Sequence, residues 1–502
     1  MQNLSQYIAR IREHDVSLWS DDVVAQKKIA QRLGWTILPE EAPALYPLLD
    51  QLANMADERE ISDVVLIGMG GSSLAPYVFA RTYAGQAKRF LHVLDTTCPE
   101  EVMSLAHALD FEKTLFIAAS KSGTTLETIT LEELFWGLAH YEIPDEAVRA
   151  THFIAITDVD TPLAIRAQER GYTLVTSPID VGGRFSVFSV FGLVPTALIG
   201  IDYRKIVDEA VQAQRACEAE NSENLAIQLA SELWNQFEAG NDKLPLPDEP
   251  LSMWLEQLIA ESLGKEGKGI VPFTRPLVCC CDGNIMSCPD SSRVTADSPL
   301  ARYGGLRGCC LKNGDSTPAA SVAQSMVVWE WAVALLAALM EVNPFDQPNV
   351  ASAKEAVVHA LEHPDTHELD AKERRASVPV DELLAEAQSN DYVCILAYVN
   401  NEEYEQMKER YVPYLATKTK LPISLVQGPR YLHSIGQLHE GGPNTGIFIM
   451  VDNASPDAPN VMLPHVDYTL REFFDAQRVG DVMALRSRGR RVTTVNICDL
   501  EL

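Results

Sequence analysis

Apolar residues recur at helical spacing through residues 1–60, as in Leu4, Tyr7, Ile8 and Ile11 and again in Leu45, Leu48, Leu49 and Leu52, which predicts a set of N-terminal helices. The pattern then changes to short runs of consecutive apolar residues: Val64–Ile67, Phe90–Leu94, Leu115–Ala119 and Phe153–Thr157. Each run has the length of a strand, and helical stretches near 75–85, 99–109 and 124–141 separate them. Apolar strands alternating with helices predict parallel βαβ units, covered on both faces. A helix near 186–200 closes this first unit, 61–202. Residues 203–250 read as a polar helical connection. A second α/β unit spans 251–490, with helices near 251–264, 320–341 and 468–487 and strands at Val393–Val399, Ile423–Val426 and Ile447–Val451. A short strand at Val492–Ile497 falls in what reads as a C-terminal tail, 491–502. Residues 271–316, rich in Gly, Pro, Ser and Cys, resist assignment. Two similar open sheets imply a duplicated fold, although no sequence repeat accompanies it.

Composition narrows the class. A chain of 502 residues exceeds one ordinary core, so two α/β domains are expected. The net charge of −29 excludes the basic stripe that a nucleic-acid backbone demands. An anionic ligand would then need a local cluster of donors and cations. The apolar runs are too short or too interrupted to span a bilayer, so no membrane partner is expected. Charges stand where a leader peptide would need its apolar core, and a cytoplasmic location is the expectation. The ten cysteines include the neighbours Cys279–Cys281 and Cys309–Cys310 but no CxxC pair, which reads as reduced thiols rather than a metal or redox site.

Two segments carry the candidate chemistry. Gly68-Met69-Gly70-Gly71-Ser72-Ser73-Leu74-Ala75-Pro76 follows the first strand directly. Glycines let a backbone approach a ligand, and the helix that follows offers free N–H groups. The strict GxGxxG spacing is absent, because position 73 is serine. Ser120-Lys121-Ser122-Gly123-Thr124-Thr125-Leu126-Glu127-Thr128 follows the third run and packs five hydroxyls and a lysine into nine residues. That density suits a phosphomonoester dianion. Ligands of open α/β sheets lie beyond the carboxyl ends of strands, so both loops would face one crevice.

The Ser120–Thr125 stretch resembles the phosphate loop of the sugar-isomerase (SIS) domain superfamily. Val181-Gly182-Gly183-Arg184-Phe185-Ser186, Gln257-Leu258-Ile259-Ala260-Glu261-Ser262-Leu263-Gly264-Lys265 and Asn343-Pro344-Phe345-Asp346-Gln347-Pro348-Asn349-Val350 narrow the likeness to the phosphoglucose isomerase family. The segments Leu94–Thr97 and Tyr431–Gly442 are similar to the isomerase half of transaldolase–phosphoglucose isomerase fusions, here expected without the transaldolase part. The resemblance implies two SIS-type domains, each an open, mainly parallel, doubly wound sheet flanked by helices. It implies reversible isomerisation of glucose 6-phosphate and fructose 6-phosphate through a cis-enediolate, with no cofactor and no metal, in a homodimer with a shared active site. A dual phosphoglucose/phosphomannose isomerase and a non-catalytic sugar-phosphate-binding protein are the alternatives.

By the same resemblance Glu261 is the base, Arg184 supports the enediolate and His433 opens the ring, with His439 as its competitor. Gly71, Ser72, Ser120, Lys121, Ser122 and Thr125 take the phosphate site, and Gln257 and Gln477 match polar substrate contacts. Seven residues after the position of Gln477 the family has a ring-opening lysine, and this chain has Ala484. Arg486, Arg488 and Arg490 lie nearby, but arginine is a poor proton donor at neutral pH.

Overall fold

The structure is a computed structural model. It describes residues 4–274, 320–362, 366–453 and 459–500; the side chains of residues 274, 350–354, 366 and 367 are not among those described. Two parallel sheets organise the chain. The first holds β1 (Asp63–Gly68), β2 (Phe90–Leu94), β3 (Thr114–Ala119), β4 (Phe153–Thr157) and β5 (Thr173–Thr176), in the order β2-β1-β3-β4-β5. A two-stranded parallel pair, β6 (Lys243–Leu246) and β7 (Val271–Thr274), follows. The second sheet holds β8 (Tyr392–Tyr398), β9 (Ile423–Gln427), β10 (Gly446–Asp452) and β11 (Arg491–Asn496), in the order β11-β10-β8-β9. Counted from its own first strand, the second sheet repeats the winding of the first one strand short. The duplication expected from the apolar pattern is therefore one of topology.

The consecutive apolar runs have a direct physical reading. Along β1, β3 and β4, Val64, Leu66, Leu115, Ile117, Ile154 and Ile156 enter one core, while Val65, Ile67, Phe116, Ala118, Phe153 and Ala155 enter another. Side chains alternate across a strand, so a sheet buried on both faces must be apolar at every position. β8 and β10 divide in the same way between Tyr392, Cys394, Leu396, Phe448 and Met450 on one face and Val393, Ile395, Ala397, Ile447 and Ile449 on the other.

One expectation is corrected and two are extended. Arg491–Asn496 pairs with β10 along its length, so the stretch read as a C-terminal tail contains an edge strand of the second sheet. β5 and β6 carry too few apolar residues to be recognised from sequence. The connection 203–250 is helical, as expected, and its helices Tyr203–Cys217 and Leu225–Glu238 also pack on helix Val322–Met340 within the first core. That helix is long and apolar enough to cross a membrane, but 83% of its most apolar window is buried in the protein. The five clustered cysteines at 279–281 and 309–310 lie outside the described residues; Cys98, Cys217 and Cys394 are buried free thiols and Cys498 is an exposed one.

Candidate active site

β1 and β3 are neighbours, and the chain leaves them in opposite directions, to β2 on one side and β4 on the other. Such a switch point opens a crevice beyond the carboxyl ends of the two strands. The turns that line it lead into helices Leu74–Thr82 and Leu126–Glu142, and neither helix start is capped by a side chain. Ser73 donates its hydroxyl to the Gly70 carbonyl at 3.3 Å, and Thr125 shares a 2.9 Å bond with the buried Ser120. The first N–H groups of both helices remain available at the positive ends of their dipoles. Ser122 and Thr124 are linked at 2.8 Å at the exposed tip, and Ser72 is half-buried on the facing turn. The ammonium of Lys121 is engaged elsewhere, donating to Asp158 Oδ1 at 2.7 Å and to the Pro178 carbonyl at 2.6 Å. Burial lowers its pKa against the pull of Asp158.

Gly71 works by close approach. A Cβ at this position would come within 2.3 Å of the Gly183 carbonyl, so glycine lets the turn after β1 touch the turn that carries Arg184. Gly70, at φ +53°, abuts the His433 carbonyl and the Gln257 amide in the same way.

Behind this contact lie Arg184 and Glu261, both almost fully buried. Arg184 Nη1 donates to Glu261 Oε2 at 2.8 Å, and the rest of its guanidinium is spent on the carbonyls of Pro344 and Asp346. Gln347 donates to the same carboxylate oxygen at 2.7 Å. Among the described residues Oε1 receives only Gln257, at 3.3 Å, which leaves it the less committed oxygen. Burial raises the pKa of Glu261, and the charge of Arg184 opposes the rise. Gln257 also donates to the His433 carbonyl at 2.8 Å, while its own Oε1 is buried with no partner among the described residues. Lys265, one helical turn beyond Glu261, is buried against Asp346 at 3.0 Å, and burial pushes its pKa down to about 7.

Segment 343–348 thus clamps both charged groups, and Phe345 anchors it. Its ring meets Trp19 at 5.0 Å, Phe185 at 5.4 Å and Trp35 at 6.5 Å, which ties the N-terminal helices to the site.

The two candidate histidines separate cleanly. His433 directs Nε2 to Glu127 Oε1 at 3.0 Å, and Gln477 donates to that oxygen at 2.9 Å. His439 packs its ring against Phe448 at 4.8 Å with neither nitrogen bonded among the described residues, and burial pushes its pKa down to about 3. His433 reaches the crevice within its own chain. Ala484 is buried and offers no polar group. Arg486 is held by Glu373 and Ser377, and Arg490 by the carbonyls of Glu440 and Gly442.

Four residues of the site had no role in the sequence reading: Glu127, Gln347, Lys265 and Thr97. The first three lie inside motifs singled out there. Thr97 stood in a segment noted only for its likeness to relatives. Among the described residues, no group of three or more His, Cys, Asp or Glu side chains is placed to hold a metal ion.

Residues 54–269 match the family model described as phosphoglucose isomerase. A glucose-6-phosphate isomerase of Thermus thermophilus is 35% identical over 243 residues, which is 46% of this chain and 56% of that protein. The chain spans a little over half the length of the curated relatives it matches, between 56% and 61% for the first three. Among solved structures, a hypothetical protein of Thermus thermophilus superposes with a TM-score of 0.55 at 25% identity, over 72% of this chain and 96% of that one. A glucose-6-phosphate isomerase of Chlamydia trachomatis shares the fold at a TM-score of 0.51 and 19% identity, over 74% of this chain and 86% of that one.

Proposed function

Because residues 54–269 match the phosphoglucose isomerase family model, we propose that the chain interconverts glucose 6-phosphate and fructose 6-phosphate through a cis-enediolate. The observation that carries this reading is the Glu261 carboxylate, buried, with one oxygen saturated by Arg184 and Gln347 and the other nearly free. In this reading Glu261 takes the proton from C2 of the open-chain aldose and returns it to C1, while the proton on O2 moves to O1. A base with a raised pKa accepts that proton more readily, and a fixed guanidinium nearby stabilises the negative oxygen of the intermediate. The phosphate would lie between the two uncapped helix starts, among Ser72, Ser120, Ser122 and Thr125. Lys121 would act there through its backbone N–H, or through its ammonium after release from Asp158.

His433, oriented by Glu127, is the group we assign to ring opening. The accompanying lysine is better sought from Gln347, the glutamine beside Glu261, than from Gln477. Seven residues after Gln347 stands Lys354, on helix Val350–Glu362. Lys354 takes the role that the count from Gln477 left to Ala484.

A coupled assay of fructose 6-phosphate turnover tests the reading. Glu261→Gln should lower kcat by at least ~10³-fold while binding of 6-phosphogluconate persists. A variant that keeps a tenth of the activity would rule out Glu261 as the base. A wild-type protein that binds fructose 6-phosphate without turning it over would instead be a sensor.

A further inference from the structure

We propose that Thr97 and Gln477 form a positioning relay for the Glu127–His433 pair, holding His433 with its proton on Nε2 and leaving Nδ1 to exchange protons with the sugar. This rests on the ring-opening role given to His433 above. Four side chains are joined in series. Thr97 Oγ1 lies 2.5 Å from Gln477 Oε1, Gln477 Nε2 lies 2.9 Å from Glu127 Oε1, and His433 Nε2 lies 3.0 Å from the same oxygen. Thr97 and Gln477 are at most 1% exposed, so water cannot replace a missing partner.

One arrangement of hydrogens makes all three bonds while Glu127 is ionised. A carboxylate only accepts, so Gln477 must present its NH2 and His433 its Nε2–H. The amide then has only its carbonyl for Thr97, and the hydroxyl donates to it. With the amide reversed, a carbonyl would face the carboxylate and repel it. Glu127 therefore fixes which way Gln477 lies, Thr97 anchors the carbonyl end that faces away from it, and Gln477 so held helps keep Glu127 an acceptor. Gln477 is here a positioning residue, with both ends of its amide engaged inside the protein, rather than the substrate contact its sequence position suggests.

Other charged groups face His433. Asp95 follows β2 and is paired with Arg430 at 3.6 Å, and Glu261 approaches from helix Pro250–Leu263. Neither bonds the ring, and Nδ1 has no partner among the described residues. In ring opening the imidazolium gives its Nδ1 proton to the ring oxygen as the bond from that oxygen to the anomeric carbon breaks, and the anomeric hydroxyl proton leaves to water. The imidazole that remains is the Nε2–H form already bonded to Glu127, so no proton need move on the far side of the ring.

The test pairs kinetics with nitrogen-15 spectra of histidine-labelled, unliganded protein at alkaline pH. Wild type should show His433 as the Nε2–H tautomer. Thr97→Val should lower kcat about tenfold to a hundredfold with KM nearly unchanged, and should bring in the Nδ1–H tautomer. Thr97→Ser, which keeps the hydroxyl, should restore most of both. If Thr97→Val does not fold, Gln477→Met asks the same question. A fall in kcat with the tautomer unchanged would mean a purely structural role and overturn the proposal. So would a mixture of tautomers in wild type, or full activity in Thr97→Val. Because the spectra need no turnover, failure of the isomerase reading would leave the relay separately decidable.

Discussion

Glu261 is held between opposing influences. Burial raises its carboxyl and the guanidinium of Arg184 lowers it, with burial the larger. In its proposed role as base Glu261 must be ionised, so activity is expected to fall as pH drops through the raised value. Removing the cation lets the carboxyl rise further, and the acidic limb must then move toward neutral pH. Arg184→Met is expected to shift the acidic limb of kcat/KM upward by about 1–3 pH units and to lower kcat about 10²–10³-fold. A pH profile whose acidic limb stays in place would show that Arg184 does not act on Glu261. Arg184 and Glu261 were singled out in sequence through the family resemblance of the motifs that carry them. The bond of Gln347 to Glu261 was not, since 86 positions separate them and only the fold supplies the 2.7 Å contact.

At the level of elements, helix Val322–Met340 shows how far an apolar pattern can be trusted. Its apolar length predicted a buried helix, and 17 of its 19 residues are buried. Glu330 sits in the middle with no ion pair among the described residues, and burial holds its carboxyl far above the ordinary range. Such a group favours the folded state at low pH, where both states are protonated. That support is lost as pH rises from the ordinary carboxylate range through the folded value, because the unfolded chain releases its proton first. Glu330→Met should therefore stabilise the protein by about 1–3 kcal/mol at neutral pH, with a smaller gain in acid. Thermal unfolding across pH measures this, and a gain that does not change with pH would contradict it. The same scale explains the missed strands. Thr173–Thr176 and Lys243–Leu246 are four residues each, too short for periodicity to separate them from loops.

Across the whole molecule, the candidate site draws on both halves. Arg184 and Glu127 come from the first sheet region, Glu261 and Gln347 from the segments between the sheets, and His433 and Gln477 from the second. Helix Val350–Glu362 packs along the last helix, Leu470–Ser487. Lys354→Ala is expected to slow turnover of fructose 6-phosphate about 10²-fold or more if it assists His433 in ring opening, whereas Ala484→Lys should not raise the rate. Steady-state assays of the two variants decide between the positions; an unimpaired Lys354→Ala would remove it from the reaction.

The apolar and polar pattern by itself determined the α/β class, two open parallel sheets and most of their strands, because a strand buried on both faces must be apolar throughout. It also marked the two donor-rich turns, since the hydroxyls and glycines of each lie close together in sequence. Tertiary structure alone decided that the Lys121 ammonium rests on Asp158, that His433 rather than His439 reaches the crevice, and that Gln477 supports Glu127. Each of those depends on distance between residues remote in sequence, and a hydrogen bond is decided within a few tenths of an ångström, which no spacing along the chain records.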